Sequence, residues 1–145
     1  MGYIKIWVHV VWTAKNREAL LLPEIRYKIF KHFREQARKK EIQLDFINGY
    51  SEHVHCLISL CSGFSIEKVV QLLKGELSFW INKAKMLDQQ FEWQEEYFAV
   101  SVSESLITRV RNYIRNQEEH HRTRSFQEEY DEFLVKQGFK SSISG

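Results

Sequence analysis

A chain of 145 residues with 43% hydrophobic and 28% charged side chains has the makeup of one soluble globular domain, large enough to bury a real core. A formal net charge of +2 is too small to argue by itself for a nucleic-acid partner, so the placement of the basic residues matters more than their number. No apolar stretch approaches the ~20 residues of a membrane span, and the first residues do not read as a signal peptide. The two cysteines, Cys56 and Cys61, fit neither a zinc-knuckle nor a redox spacing, so a reducing cytoplasm is the expected compartment.

Residues 3–13 alternate like a strand, with Ile4, Ile6, Val8, Val10 and Trp12 on the core face and Tyr3, Lys5, Trp7, His9 and Val11 on the other. Pro23 suits the first turn of a helix running to about Lys40. Ile25, Ile29, Phe33 and Ala37 form its buried stripe, and Arg26 falls among the basic residues of the outer face. Ile42, Leu44 and Phe46 mark a second strand. Asn48-Gly49 then reads as a tight reversal with positive φ, making residues 42–60 a hairpin. Its second arm carries His53-Val54-His55. Period-2 alternation sends Val54, Cys56 and Ile58 to the core and both imidazoles to the opposite face, and it turns Glu52 away from them.

Ser65 caps a second helix to about Leu87, with Ile66, Val69, Leu73, Leu77, Trp80, Ile81 and Ala84 in helical period. Gly75 within it is unfavourable by ~1 kcal/mol relative to Ala, which points to the close approach of another backbone. An aromatic segment (Phe91, Trp93, Tyr97, Phe98) precedes a strand over 99–102. A third helix is expected over 104–121, opened by Ser103, with Leu106, Val110 and Ile114 on its apolar side. Tyr113, Gln117 and His121 form a second, polar stripe on it. Ser125 and Glu128 make a capping box for a last helix that buries Phe126, Tyr130, Phe133 and Leu134, with Gly138 as its C-cap. Residues 1–140 read as one domain and 141–145 as a frayed tail. His9 and His32 read as structural, and His120 and His121 as helix-end or DNA-touching residues rather than metal ligands.

The order β-α-β-β-α-β predicts an α+β, ferredoxin-like antiparallel sheet with two helices on one face, packed on Val8, Phe46, Val54 and Ile58. His53 and His55 then face the open side, where the third helix is free to lie. Two neutral imidazoles on one face make half of a metal site. Taken alone, they read first as two surface histidines, Tyr113 as a packed helix tyrosine, and Gln117 as a surface residue.

His53, His55, Tyr113 and Gln117 in this architecture resemble the HUH single-tyrosine transposases, which move insertion sequences as single-stranded DNA and include the REP-associated tyrosine transposases. The resemblance covers nearly the whole chain. It runs through His9 to Arg17, Ile47-Asn48-Gly49, Glu52 to Leu57, Leu73-Lys74-Gly75, Trp80-Ile81, Trp93-Gln94 and Ser101-Val102-Ser103. It ends with Tyr113-Ile114-Arg115-Asn116-Gln117 and Glu119-His120-His121. It implies that His53, His55 and Gln117 bind a divalent ion, Mg²⁺ or Mn²⁺, and that Tyr113 attacks the scissile phosphate. A 5′-phosphotyrosine intermediate and a free 3′-hydroxyl would follow, then rejoining without ATP. The implied substrate is single-stranded DNA with a subterminal hairpin and the implied assembly a homodimer, with Tyr113 acting in cis or in trans. Lys15, Arg17, Lys74, Arg109, Arg111, Arg122 and Arg124 are the candidate phosphate contacts.

Two other readings stand beside a metal-dependent DNA transposase and endonuclease. One is a domesticated relative that binds DNA hairpins without moving anything. The other is a small metallohydrolase, against which counts the lack of a carboxylate, other than Glu52, near the two histidines.

Overall fold

The computed structural model describes residues 2–139, so the frayed tail expected over 141–145 lies outside the described residues. Four strands, β1 (Ile6–Ala14), β2 (Gln43–Gly49), β3 (His53–Leu60) and β4 (Trp93–Val102), form one antiparallel sheet in the order β2-β3-β1-β4. Two long helices, α1 (Pro23–Lys39) and α2 (Ile66–Lys83), complete the β-α-β-β-α-β order of the expected α+β fold. No helix among the described residues is long and apolar enough to cross a membrane.

Strand alternation and helical period account for the main core. Val8, Val10 and Trp12 of β1 and Val54, Cys56 and Ile58 of β3 meet Ile29, Phe33 and Ala37 of α1 and Val69, Leu73, Leu77 and Ile81 of α2. Each Val, Leu, Ile or Phe among them, fully buried, contributes on the order of 1.5–3 kcal/mol. Pro23 sits in the first turn of α1, and Ser65 Oγ accepts the Lys68 N–H at 3.1 Å to cap α2.

The opposite face is covered by three shorter helices, α3 (Ile107–Arg115), α4 (Gln117–His120) and α5 (Phe126–Lys136). Ile107 and Ile114 of α3 bury against Leu57, beside Trp7 and Phe46. Phe126 and Tyr130 of α5 bury against Val11 and Phe98, and Ser125 Oγ caps α5 by accepting the Glu128 N–H.

Several local expectations are corrected. Leu44 pairs with Ile58 but Phe46 with Leu57, so Asp45 is an extra residue bulged out of β2. The bulge reverses side-chain parity, and Phe46 packs under α3 instead of in the main core, where Ile47 takes its place. Asn48 and Gly49 stay in the β2 ladder, opposite His55 and Val54, and the reversal is made by Tyr50, Ser51 and Glu52. Glycine is required at 49 for a different reason: a Cβ there would stand 2.2 Å from the His53 carbonyl oxygen. Gly75, by contrast, has nothing within 4 Å of an added Cβ, so no backbone approaches it.

The expected helix over 104–121 is instead a 3-10 turn (Glu104–Leu106) followed by α3 and α4, broken at Asn116 with ψ of 27°. The side-chain amide of Asn48 donates to the carbonyls of Ile114 (2.9 Å) and Arg115 (3.1 Å), which a continuous helix would use itself. Arg26 is buried rather than outward. It donates to Glu118 Oε1 at 2.8 Å and so fastens α4 to α1. The fourth strand begins at Trp93, not 99, and α2 ends at Lys83.

The two glycines predict opposite outcomes in thermal or urea unfolding. Gly49→Ala should lose about 1–3 kcal/mol by forcing backbone apart. Gly75→Ala should gain up to about 1 kcal/mol, since an exposed helix interior gains from the substitution. Equal signs would contradict the packing described.

Candidate active site

Strand alternation in β3 carries His53 and His55 to the face under α3, α4 and α5, where both are fully buried (0% exposed), as is Gln117 (0%). A fourth buried polar group joins them: Glu129, at the middle of the apolar stripe of α5 and 1% exposed. Its Oε1 lies 3.1 Å from His55 Nε2 and 3.7 Å from His53 Nε2. Gln117 Oε1 lies 2.9 Å from His53 Nε2, and its amide nitrogen donates to the Tyr113 carbonyl at 3.2 Å. The break at Asn116 therefore leaves the polar stripe of Tyr113, Gln117 and His121 intact in space.

Both metal-candidate rings are oriented from behind. His53 Nδ1 stands 2.6 Å from Glu52 Oε1, and His55 Nδ1 stands 2.9 Å from His9 Nε2. With His53 donating to Glu52 and His55 donating to His9, both Nε2 atoms turn their lone pairs toward Gln117 and Glu129. Strand parity misdirected Glu52 because it belongs to the turn before β3, where alternation does not apply. His9, on the same sheet face as His55, is one part of that support. His32 is structural in the expected sense, stacked on Trp80 with ring centroids 4.0 Å apart.

The second oxygen of Glu129 faces the nucleophile candidate. Oε2 accepts a hydrogen bond from Tyr113 Oη and lies 3.0 Å from His120 Nε2 and 3.3 Å from His121 Nε2. Tyr113 and His120 are only partly buried, so the pocket opens to solvent on their side.

The electrostatics follow from burial. Desolvation pulls His9 down to about 3, helped by the neighbouring His55, and pulls His55 down to about 4 against the attraction of Glu129. Both rings are thus neutral at pH 7, the form that binds a cation. Burial opposes the charge on Glu129, yet the close imidazoles of His121 and His55 hold its carboxyl far below the usual range. Burial first, then the charge and hydrogen bond of Glu129, push the Tyr113 phenol well above its ordinary value.

His53, His55 and Glu129 form a group that can hold a metal ion, with Gln117 Oε1 adjoining it. At metal–ligand bonds of about 2.1 Å, neighbouring donors stand roughly 3.0 Å apart in an octahedron and about 3.4 Å in a tetrahedron. The 2.9, 3.1 and 3.7 Å separations bracket those values. Two nitrogens with two oxygens suit a borderline ion such as Mn²⁺ better than Mg²⁺.

The basic candidates do not gather into one tract. Lys15 pairs with Glu92, and Lys74 donates to the carbonyls of Gln94 and Glu95. Arg17 bonds to Gln127 and lies over the rings of Phe126 and Tyr130. Arg111 forms a bidentate pair with the bulged Asp45. Arg122 pairs with Glu119, Arg124 with Glu132, and Arg109 is exposed. Glu129 is the residue that sequence reasoning missed. Its signal was a carboxylate three residues after Phe126 and four before Phe133, inside an apolar helical stripe.

The chain is similar to known transposases. The ISDra2 transposase TnpA of Deinococcus radiodurans is 24% identical over 123 residues, covering 80% of this chain and 87% of that protein. A crystal structure of a candidate transposase from Deinococcus radiodurans R1 superposes with a TM-score of 0.65 at 25% identity, over 81% of this chain and 95% of the other. A REP-associated tyrosine transposase, solved bound to a REP hairpin, shares the fold with a TM-score of 0.62 at 19% identity, over 83% of this chain and 72% of that one. The family model for IS200-like transposases matches residues 3–117, from before β1 through the Tyr113 helix to Gln117, and the chain therefore belongs to that single-tyrosine HUH family.

Proposed function

We propose that this chain is a transposase that cuts and rejoins single-stranded DNA through a covalent bond to Tyr113. The observation that carries the reading is the shared carboxylate: Glu129 touches Tyr113 Oη with one oxygen and His55 with the other, inside one chain. A phosphate lying against Tyr113 would thus be within reach of the His53, His55 and Gln117 donors. A divalent ion held by them, Mg²⁺ or Mn²⁺, supplies Lewis-acid polarisation of that phosphate.

In the proposed step, Tyr113 Oη bonds to phosphorus as the bond from phosphorus to the 3′ oxygen breaks. The products are a 5′-phosphotyrosine and a free 3′-hydroxyl. The phenol proton passes to Glu129, and a proton is taken up by the departing 3′ oxygen. A 3′-hydroxyl attacking the tyrosine linkage reverses the sequence and rejoins DNA without ATP. Glu129 held anionic is a weak base and Tyr113 with a raised pKa a weak acid, so positive charge beside the Tyr113 oxygen, which favours the phenolate, is what makes loss of its proton accessible. Because Tyr113 meets the histidines of its own chain, we propose catalysis in cis; a homodimer is not needed to complete the site.

The REP-bound structure of a similar fold supports hairpin-bearing single-stranded DNA as the substrate proposed here. Tyr113 and His120 form the open edge for its entry, and Lys15 and Arg17, just after β1, are among the proposed phosphate contacts. Glu129 also removes the main objection to a metallohydrolase, so the covalent adduct is the discriminating observation.

Incubating the protein with labelled single-stranded DNA from the ends of its own element, plus Mg²⁺ or Mn²⁺, should give an adduct on a denaturing gel. Tyr113→Phe should abolish the adduct and cut cleavage by on the order of 10⁴-fold or more. Cleavage surviving that change would indicate the hydrolase, and binding without any adduct the domesticated form. Glu52→Ala, which frees the His53 ring, should weaken Mn²⁺ binding about 10–100-fold by calorimetry and leave adduct formation recoverable at high Mn²⁺. Unchanged affinity would remove Glu52 from the site's support.

A further inference from the structure

Glu129 faces two ways. Oε1 looks toward His53 and His55, and Oε2 toward His120, His121 and Tyr113. We propose that a second divalent transition ion binds between His120 Nε2, His121 Nε2 and Glu129 Oε2, so that the Glu129 carboxylate bridges two ions. Tyr113 Oη, on the same oxygen of Glu129 and 3.4 Å from His120 Nε2, completes the second set of donors. This rests on the first ion being held by the His53 and His55 pocket.

Three observations converge on the second position. The donor separations of 3.0 and 3.3 Å match neighbouring ligands around one ion, as they do in the first pocket. His121 is oriented as metal-bound imidazoles are, with its Nδ1 3.0 Å from the Arg124 carbonyl oxygen, which leaves Nε2 turned inward. That Nε2 is buried, in a side chain only 3% exposed, and approaches Glu129 Oε2 at 3.3 Å without the alignment of a good hydrogen bond. A neutral ring there presents a lone pair to a carboxylate oxygen. Two acceptors face to face are reconciled only by a cation or by a second proton on His121. The ring of His121 is further fixed by stacking on Tyr50, with centroids 5.2 Å apart.

Two imidazoles, a carboxylate and a phenol oxygen form a set for Mn²⁺ or Zn²⁺ rather than Mg²⁺. An ion there would touch the attacking oxygen of Tyr113, while the first would lie toward the phosphate. That division of labour is the one paired ions perform in phosphoryl transfer, at separations of about 3.5–4 Å.

The test uses the whole protein and Mn²⁺ alone. Calorimetry should give two equivalents for the wild type and one for the His120→Ala, His121→Ala double variant. Electron paramagnetic resonance of the loaded wild type should show a spin-coupled pair, a readout that needs no variant and is unaffected if the variant misfolds. One equivalent in the wild type, or two equivalents unchanged in the double variant, would overturn the second ion and leave a proton on His121 as the reconciling charge. Adduct formation separates the two readings. An adduct formed with a single equivalent bound removes the second ion and keeps the Tyr113 chemistry; two coupled ions without an adduct keep the metal pair and remove the chemistry.

Discussion

A carboxylate buried without partners is unfavourable by several kcal/mol, and Glu129 is buried at the centre of the covered sheet face. The fold sets four imidazoles and a phenol around it, from β3, from the end of α4, and from α3. Removing any one of these leaves the others facing an ill-matched charge in a low-dielectric pocket. The same arrangement that makes α5 dock here is therefore the one that gathers the reactive groups. Structural and chemical roles share one side chain.

The rest of the molecule serves to hold the partners of that carboxylate at fixed distances. Two antiparallel ladders pin β3, so His53 and His55 cannot slip in register without exchanging faces with Val54 and Cys56. Asn48 grips the end of α3 by two carbonyls, and Arg26 grips α4 through Glu118, which also accepts from Tyr27. The Tyr113 helix and the Gln117 helix are thus clamped independently, one to the sheet edge and one to α1. His9 and Glu52 finish the arrangement by turning the two rings.

The architecture was legible because it rests on periods: alternation in β1 and β3, and three-to-four spacing in α1 and α2. Parity put His53 and His55 on one face and one helical turn joined Tyr113 to Gln117, while the meeting of the two pairs was implied by the family resemblance rather than by any period. What was hidden depends on contacts between distant segments. Asn48-Gly49 has the composition of a turn, but Asn48 is drawn into the ladder by the α3 carbonyls it satisfies. The helix over 104–121 has unbroken spacing, yet the same amide of Asn48 diverts two of its hydrogen bonds. Glu129 lies 74 residues from His55, and a lone acid in an apolar stripe announces a buried partner without naming it.

The bulge at Asp45 works as a punctuation mark in β2. Before it, alternate residues belong to the main core; after it, the assignment is inverted, so that Ile47 serves the core and Asn48 the face under α3. Drawing Asp45 into the ladder, instead of leaving it bulged out, would act like a frameshift in three dimensions. No side chain beyond it would change chemically, but Asn48 would exchange sides with Ile47 and α3 would lose its anchor. Asp45 is itself locked to Arg111 on α3. The residue that sets the reading frame of the strand thus also checks it against the helix that carries the tyrosine.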